Sequence, residues 1–502
     1  MLITILVYLA AMVGIGAVLA KQNQTTDDFY LGGRTLGPLV TAMSAEASDM
    51  SSWLLMGLPG VAYLSGTADA AWTAIGLAIG TYVNWLVVAK RLRNYTHVCG
   101  NSTTLPLFFS NRYRDNKRIL SVIAALLIII FFVPYTASGF AACGKLFANL
   151  FGMDYLPAML ISAIVIVAYT TLGGFLAAST TDFVQSIVMT IAIVVVFGFG
   201  ISKVGSFSAV MDNAKSMAGY FSLTHTHDVA TGTASPYSLL QIFSTLAWGL
   251  GYFGMPHVLL RFMAIGDANK LKLSRRVATV WVVISMAVSV FIGVIGNAMT
   301  KAGVLPTLKD PETIILVVAD LISKHGVLAT IIAGLILAGI LAATMSTADS
   351  QLLAASSSAS QNILKEVFMK DMSEKTGMLI ARITVLVIAL IGVFIARNPD
   401  SSVFQIVSFA WAGFGASFGP LVLLALFWKR STLQGALAGM VSGGVMVFVW
   451  KFLIRPMGGA LGIYELLPAF LLGLAVNVIV SLLTPAPSRE VQDEFDKVAS
   501  MK

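Results

Sequence analysis

Long apolar stretches separated by short polar segments run along the whole chain. Most of them approach or exceed the roughly 20 residues that a helix needs to cross the hydrocarbon core of a bilayer. Alternating ten-residue segments, which are typical of a membrane β-barrel, are absent from the sequence. The pattern therefore predicts about 13 membrane-spanning helices, numbered as spans 1 to 13 in chain order. Their predicted bounds are 2–20, 38–63, 67–89, 119–144, 155–178, 183–203, 237–260, 277–300, 326–347, 378–396, 402–428, 433–454 and 462–484.

The composition agrees with a membrane protein. Of the 502 residues, 57% are apolar and 11% are charged, whereas soluble domains carry about 25% charged residues. These values exclude a soluble multidomain enzyme and predict an all-α polytopic membrane protein. The two cysteines, Cys99 and Cys143, lie in a basic loop and near the end of an apolar run, so we expect no structural disulfide.

The positive charges are unevenly distributed between the loops. If alternate loops face opposite sides of the membrane, 23 of the 32 Lys and Arg residues lie on one side and 9 on the other. Arg261 is predicted to lie in a loop on the side with 23. Because basic loops stay in the cytoplasm, the chain is predicted to be a multi-pass protein of the inner (plasma) membrane. The N-terminus is expected outside, and the C-terminal tail, 485–502, is expected in the cytoplasm.

Span 2 carries unusual polarity for a membrane helix. Glu46 and Asp49 lie near its middle together with several serines, although an ionisable group at that depth costs at least a few kcal/mol. The two acids are three residues apart and share one face of a helix. Their mutual repulsion favours protonation of one of them or recruitment of a cation.

Span 7 contains three glycines and a proline between residues 249 and 256. This composition predicts an interrupted helix, which is tolerated at membrane depth only where the backbone is buried or lines a cavity. Gly249, Gly251 and Gly254 match the GxGxxG pattern. However, no strand precedes them, so a dinucleotide site is not expected.

Span 7 follows span 2 by five positions in the helix order, which suggests two inverted halves of five helices each. The predicted organisation is one transporter domain, 1–502. It comprises a first helix and loop (1–37), two inverted repeats (38–203 and 237–428) and two extra helices (433–484) before the tail. Interrupted helices at corresponding positions of two halves are typical of secondary transporters that bind substrate between the repeats.

Span 9 contributes a third polar group. Ser346, Asp349 and Ser350 share one face at i, i+3 and i+4 spacing, with Thr347 beside it. Hydroxyl, carboxylate and freed carbonyl oxygens suit Na⁺; alternatively, such hydroxyls bond their own helix backbone. Aromatic residues near the interruptions are candidate substrate contacts, and these are Trp53, Tyr135, Trp248 and Tyr252.

Five motifs together resemble the sodium/solute symporter family, most closely its proline carriers. They are LGGR (31–34), ASDMSSWLLMGLPG (47–60), WGLGYFGMPH (248–257), MST (345–347) and AWAGFG (410–415). The resemblance extends from about residue 27 to the last span. It implies a leucine-transporter-like fold with broken helices 2 and 7, and Na⁺-coupled symport of L-proline into the cell by alternating access.

The resemblance also implies roles for individual residues. The expected Na⁺ ligands are the carbonyls of Ala47, Met50 and Ala343 and the hydroxyls of Ser346 and Thr347. The expected substrate contacts are Asp49, Ser51, Trp53, Tyr135, Trp248, Tyr252 and Pro256. Arg34 corresponds to a position tied to coupling, the alternative being a positive-inside anchor. A possible second Na⁺ site comprises Asp182, Ser346, Asp349 and Ser350; alternatively, Asp182 only caps the start of span 6.

Three positions differ from the family pattern close to the expected pocket. Glu46 and Ser52 replace glycines, and Met255 replaces a glutamine. They leave open a symporter of another small solute, such as a different amino acid, a betaine or a sugar acid. More remote alternatives are a membrane sensor, a membrane enzyme and an ion channel. The expected partners are L-proline, the co-transported ion Na⁺ and the lipid bilayer, with no nucleic acid and no obligate protein partner.

Overall fold

The computed structural model describes residues 1–21, 25–369, 372–398 and 402–501. Helices make up most of these residues. The one sheet among them is a short antiparallel hairpin before span 7, in which His225–His227 pairs with Ala234–Pro236. The prediction of an all-α membrane protein is confirmed.

Ten helical segments of the described residues are long and apolar enough to cross a membrane. They correspond to spans 1, 3, 4, 6 and 8 to 13. Their bounds are Leu2–Ala20, Thr67–Val98, Ile119–Ala148, Gly173–Val204, Ala268–Lys301, Val327–Phe368, Glu374–Ile395, Val403–Phe427, Leu433–Met457 and Leu466–Leu483.

The other three spans are short or interrupted. Span 5 is the apolar segment Tyr155–Ala168. Span 2 consists of helix Pro38–Ser52, a wider turn Trp53–Gly57 and helix Leu58–Ser65. Span 7 consists of Leu239–Leu246, the tighter 3₁₀ turn Ala247–Phe253 and helix Pro256–Ala264. Both predicted interruptions are therefore present, while the exact count of 13 spans stays a prediction.

The junction between spans 5 and 6 differs from the prediction. A single helical segment, Tyr155–Val204, contains both spans, and its direction changes at Gly174, where φ is +63°. A glycine allows this left-handed backbone, which an L side chain would disfavour. The expectation that Asp182 opens span 6 is wrong, because the residue lies about two turns beyond the bend, inside the helix.

Shorter helices lie outside the spans. They are Thr26–Leu31, Leu105–Arg112, Phe207–Ser216, Ile314–Ser323 and Arg489–Ser500. The charged tail is thus mostly helical, and it packs on helix Ala89–Val98, the end of span 3.

Span 9 occupies the centre of the bundle. It contacts spans 1, 2, 4 and 10 and the helix that contains spans 5 and 6. Most of its second half is buried, including the polar residues from Thr344 to Gln351. A polar face in this position must find its partners inside the protein.

The two C-terminal spans pack on each other and on span 11. Gly435 and Gly439 of span 12 face Ser481 and Asn477 of span 13, and Gly443 faces the carbonyl of Ala416. Added Cβ atoms would overlap these neighbours. The four-residue glycine spacing therefore serves close packing within the chain.

Candidate functional site

The interruption of span 2 lies at Ser51. Its φ of +47° places a non-glycine residue in the left-handed region, where a side chain is strained unless the surroundings hold it. The Ser51 hydroxyl accepts a 3.0 Å hydrogen bond from the backbone N–H of Trp53, which stabilises the break. Asp49 lies just before it, in the middle of the span.

The interruption of span 7 lies at Gly254 and Met255, between the 3₁₀ turn and the helix that Pro256 begins. Gly251 has no room for a side chain, because a Cβ there would overlap the indole of Trp411 on span 11. A Cβ at Gly249 would likewise overlap the backbone of Gly76 on span 3. The glycines therefore permit close helix packing, and the proline provides a helix start without an unsatisfied N–H.

The two interruptions meet around Asp49. Its Oδ2 accepts a 2.6 Å hydrogen bond from the Tyr252 hydroxyl of span 7. Its carbonyl accepts a 3.2 Å hydrogen bond from the Tyr135 hydroxyl of span 4. Asn84 of span 3 donates its side-chain N–H to the Tyr252 carbonyl at 3.1 Å. Four spans thus converge on one buried carboxylate.

A small cavity lies beside Asp49. The residues that line it are Asp49, Met50, Trp53, Leu77, Tyr135, Trp248, Met286, Val407 and Trp411. Four of the seven predicted substrate contacts are among them: Asp49, Trp53, Tyr135 and Trp248. An acidic group within an aromatic and apolar lining is typical of a small-molecule site.

Aromatic rings cover the cavity toward the Ser65 end of span 2. The ring centroid of Trp53 lies 5.5 Å from that of Trp248 and 5.9 Å from that of Phe404. Trp248 stacks on Tyr464 of the segment before span 13, at 5.0 Å. These contacts close one side of the cavity.

The three remaining predicted substrate contacts lie at the interruptions and do not line the cavity. Tyr252 acts through Asp49, and Ser51 forms the break of span 2. Pro256 begins the second half of span 7 and is buried.

The five predicted Na⁺ ligands belong to spans 2 and 9, and one hydrogen bond between them joins the two helices. The Ser346 hydroxyl donates to the Ala47 carbonyl at 2.8 Å. The Thr347 hydroxyl donates to the Ala343 carbonyl at 3.1 Å. The Met50 carbonyl accepts the N–H of Trp53 at the break. Carbonyl and hydroxyl oxygens in this arrangement are chemically suited to a hard monovalent cation.

Three members of the predicted second Na⁺ group, Asp182, Asp349 and Ser350, connect to Arg261, which was predicted to lie in a loop. Arg261 is buried in helix Pro256–Ala264. Its Nη2 lies 3.1 Å from Asp182 Oδ2 and 2.5 Å from the Ser350 hydroxyl. Asp349 joins through Ser350 at 3.0 Å. The Arg261 side chain therefore supplies the positive charge beside Asp182. The prediction that Arg261 lies in a loop is wrong, because the residue is buried in a helix.

Arg34 joins three segments at the Pro38 end of span 2. Its guanidinium donates to the carbonyl of Met263 at 2.6 Å and to the carbonyl of Ser102 at 2.7 Å, and also to the Thr96 hydroxyl. Burial lowers the pKa of Arg34 to about 10, so the group remains charged at neutral pH. Arg34 thus connects the neighbouring ends of spans 2, 3 and 7. This bridging role goes beyond that of a surface anchor.

The three positions that differ from the family pattern are all buried near the interruptions. Glu46 Oε1 accepts a 2.8 Å hydrogen bond from the indole N–H of Trp85. Ser52 and Met255 flank the two breaks.

Several residues of this region were not predicted from the sequence. Leu77, Met286 and Val407 give no signal, because each is an ordinary apolar residue within a span. Trp411 lies in one of the recognised motifs, and the motif could have identified it. Arg261 directly follows an apolar run, as a loop arginine at the end of a span would. The sequence therefore carries no sign that it is buried.

Comparisons with known proteins agree with the motifs. Residues 29–443 match the Sodium:solute symporter family. The High-affinity proline transporter PutP of Bacillus subtilis is 42% identical over 97% of this chain and 98% of its own length. The Sodium/proline symporter of Escherichia coli is 41% identical over 99% and 95%. The Osmoregulated proline transporter OpuE of Bacillus subtilis is 40% identical over 97% and 96%.

Solved structures share the fold. A Na⁺-coupled sialic acid symporter in a substrate-bound, outward-open state superposes with a TM-score of 0.79 at 19% identity, covering 97% of this chain and 98% of that one. Mhp1, a nucleobase-cation-symport-1 family transporter, gives a TM-score of 0.55 at 14% identity, covering 94% and 98%. The motifs, the two interrupted helices and the full-length relatives lead to one assignment. The chain belongs to the sodium:solute symporter family.

Proposed function

We propose that this transporter carries L-proline into the cell together with Na⁺ by alternating access. The observation that carries the proposal is the identity of at least 40%, over nearly the whole chain, to relatives named as proline transporters. A small aromatic cavity with one carboxylate is consistent with it.

The side chains that line the cavity are chemically suited to a small zwitterion with a ring. Asp49 Oδ2 is engaged by Tyr252, while Oδ1 is buried without a hydrogen-bond partner. This second oxygen is available to the ammonium group of proline. Trp53 and Trp248 line the cavity, and the pyrrolidine ring would pack against them. The substrate carboxylate would use N–H groups freed at the breaks, where helix ends favour negative charge.

Na⁺ would bind between spans 2 and 9, using the carbonyls of Ala47, Met50 and Ala343 and the hydroxyls of Ser346 and Thr347. The Ser346 hydroxyl and the Ala47 carbonyl already connect the two helices. An ion between them would hold span 2 in one position. Since Asp49 lies on the same helix, the ion would organise the substrate cavity. Binding is then reciprocal, and proline must tighten Na⁺ to the same degree.

The energy comes from the sodium gradient and the membrane potential, which contributes about 2.3 kcal/mol per charge and 100 mV. We further propose that 38–203 and 237–428 are the two inverted halves that move relative to each other. The remaining segments, 1–37, 433–484 and 485–502, would flank this core.

The proposed orientation follows from the positive charges, with the N-terminus outside and the C-terminus in the cytoplasm. A Ser500→Cys variant tests it, because Ser500 is exposed and the two native cysteines are buried. We expect an impermeant thiol reagent to label this cysteine in inside-out vesicles and not in intact cells. Labelling in intact cells would reverse the orientation.

The main test is uptake of labelled L-proline into proteoliposomes with and without an inward Na⁺ gradient. The wild type is compared with the double variant Ser346→Ala/Thr347→Ala. We expect Na⁺-stimulated accumulation in the wild type and its loss in the double variant. The matched control is Ser358→Ala, since this buried hydroxyl bonds only its own helix at Ala354.

The outcomes separate the parts of the proposal. Na⁺-dependent uptake that survives in the double variant would retain the function and overturn the ion site. No proline uptake by protein that still binds Na⁺ would indicate another small solute. In that case Glu46, Ser52 and Met255 are the first residues to exchange for those of the family pattern.

A further inference from the structure

A second polar cluster lies where spans 2, 3 and 7 meet, apart from the group on span 9. Trp85 of span 3 donates its indole N–H to Glu46 at 2.8 Å. Asn84 donates to the Tyr252 carbonyl at 3.1 Å, and Tyr252 donates to Asp49 at 2.6 Å. Hydrogen bonds thus connect both carboxylates of span 2 to span 3.

The negative charge of this cluster is not compensated by a side chain. Glu46 is 1% exposed and Asp49 is 6% exposed, and the two carboxylates repel each other. The side-chain bonds that they accept come from neutral donors, Trp85 and Tyr252. In the described part of the chain, every ion pair involves other carboxylates. Buried carboxylates need a positive charge or a proton.

Several buried oxygens of the cluster also lack hydrogen-bond partners. Among the described residues, Glu46 Oε2, Asp49 Oδ1 and Asn84 Oδ1 have none. Thr81, Asn84 and Trp85 are spaced i, i+3 and i+4 and so share one face of span 3. Trp85 and Asn84 fix that face against Glu46 and Tyr252, and the Thr81 hydroxyl lies beside the Tyr252 hydroxyl. Thr81 and Asn84 are themselves at most 1% exposed.

We propose that this cluster binds a second Na⁺, held by Glu46, Thr81 and Asn84, with Asp49 shared between the ion and the substrate ammonium. The proposal rests on the proposed Na⁺ symport and adds to it. Carboxylate, hydroxyl and amide oxygens are the ligands that hard cations prefer. The second predicted group, around Asp182, already holds the guanidinium of Arg261.

The resemblance to the family pattern leads us to expect glycine at the position of Glu46. A carboxylate added there without a matching basic residue adds one negative charge to the transport path. With a second Na⁺ the site is balanced when proline binds, since the ion and the substrate ammonium face two carboxylates. The expected consequence is movement of two positive charges for each zwitterionic proline.

The test counts bound ions. Binding of radioactive ²²Na⁺ to the purified full-length protein in detergent, without proline, should saturate at two ions per chain in the wild type. We expect one ion per chain in Glu46→Gln. The Hill coefficient for Na⁺ activation of proline uptake should fall from about 2 to about 1. The charge moved per proline should fall in the same ratio.

The matched control is Asp69→Asn. Asp69 is a partly buried carboxylate on span 3 whose partner is also a tyrosine hydroxyl, that of Tyr237 at 2.8 Å. We expect it to retain two ions per chain. If Glu46→Gln does not fold, Thr81→Val removes a ligand oxygen without altering the carboxylates. This variant should weaken binding of one ion at least tenfold.

Contrary results are equally clear. One ion per chain in the wild type and in Glu46→Gln alike would overturn the proposal. Displacement of one Na⁺ by micromolar Ca²⁺ or Mg²⁺ would overturn it too, in favour of a divalent site. Proton release into the lumen during wild-type uptake, with one Na⁺ bound, would assign Glu46 to a proton. Because ion counting needs no proline, a wrong substrate would leave the count interpretable.

Discussion

The Tyr252 hydroxyl donates a 2.6 Å hydrogen bond to Asp49 Oδ2 and thereby joins the two interrupted helices. Span 2 carries the acid, and span 7 carries the phenol in its 3₁₀ turn. The bond fixes which carboxylate oxygen faces the cavity. It also ties the position of span 7 to that of span 2, which carries two of the proposed Na⁺ ligands.

Tyr252→Phe should weaken proline binding while retaining the ring. A hydrogen bond to a charged group is worth about 1.5–3 kcal/mol, so we expect the KM for proline to rise about tenfold or more. The measurement is Na⁺-driven uptake over a range of proline concentrations. Tyr155→Phe is the matched control, since Tyr155 donates to the Ala396 carbonyl far from the cavity. An unchanged KM would remove Tyr252 from the substrate site.

The Arg261–Asp182 pair should behave as a buried ion pair. Both side chains are at most 1% exposed, and removal of one partner from such a pair typically costs about 3–5 kcal/mol. We expect Arg261→Gln and Asp182→Asn each to lower the Tm of the purified protein strongly. The double variant should be more stable than either single variant, because neither member of the pair is left buried without the other.

An exposed pair provides the reference for this cycle. Lys429 and Asp496 form an ion pair with side chains 40% and 56% exposed, and such pairs contribute about 0–1 kcal/mol. Asp496→Asn should therefore change the Tm little. If the double variant were as unstable as the sum of the two single variants, the coupling of Arg261 to Asp182 would be refuted.

Much of the fold could be predicted from the sequence because hydrophobicity and helix breakers act locally. A run of apolar residues must lie in lipid or core, so the spans could be placed. Three glycines and a proline within eight residues weaken a helix strongly, so span 7 was predicted to be broken. Asp49 stood out because a carboxylate in an apolar run requires partners.

The incorrect predictions concern features of the structure that tertiary contacts determine. Asp182 has no local signal that distinguishes a helix start from a helix interior, and the bend lies at Gly174 instead. Arg261 follows an apolar run just as a loop arginine would, and only its partners Asp182 and Ser350 show that it is buried. Met286 lines the cavity through packing alone, and composition cannot reveal packing.

Glu312 should control the closed side of the cavity. Its carboxylate accepts hydrogen bonds from the Ser402 hydroxyl and from the backbone N–H groups of Val403 and Phe404, and it pairs with Lys145 at 3.1 Å. It thus caps the helix of span 11, and Phe404 covers Trp53 and Trp248.

Glu312→Ala removes all of these bonds and should release the aromatic cover. The measurement uses Val407→Cys, which places a thiol in the cavity lining. We expect an impermeant thiol reagent to label it at least tenfold faster in the Glu312→Ala background. The control is Asp320→Ala, which removes only a partly exposed pair with Lys324. Equal labelling in both backgrounds would exclude Glu312 from closure.

The C-terminal helix Arg489–Ser500 should dock by one apolar face and a set of ion pairs. Val491, Phe495 and Val498 share the buried face. The Phe495 ring lies 4.8 Å from the Arg91 guanidinium. Arg114 pairs with Glu490 at 3.0 Å and with Glu494 at 2.9 Å. Packing resists salt, whereas partly exposed ion pairs are screened by it.

Phe495→Ala should therefore detach this helix. Truncating a buried phenylalanine costs about 3–5 kcal/mol of packing free energy. A single peripheral helix of 12 residues cannot lose that much and remain docked. The measurement is the rate of tryptic cleavage at Lys497 in purified protein. The cleavage rate should already be raised at low salt in Phe495→Ala. In the wild type it should rise only when added salt weakens the ion pairs of Arg114. Asp493→Ala, an exposed change on the same helix, should leave the rate unchanged. Cleavage that is fast in the wild type at every salt concentration would show that the helix does not dock in solution.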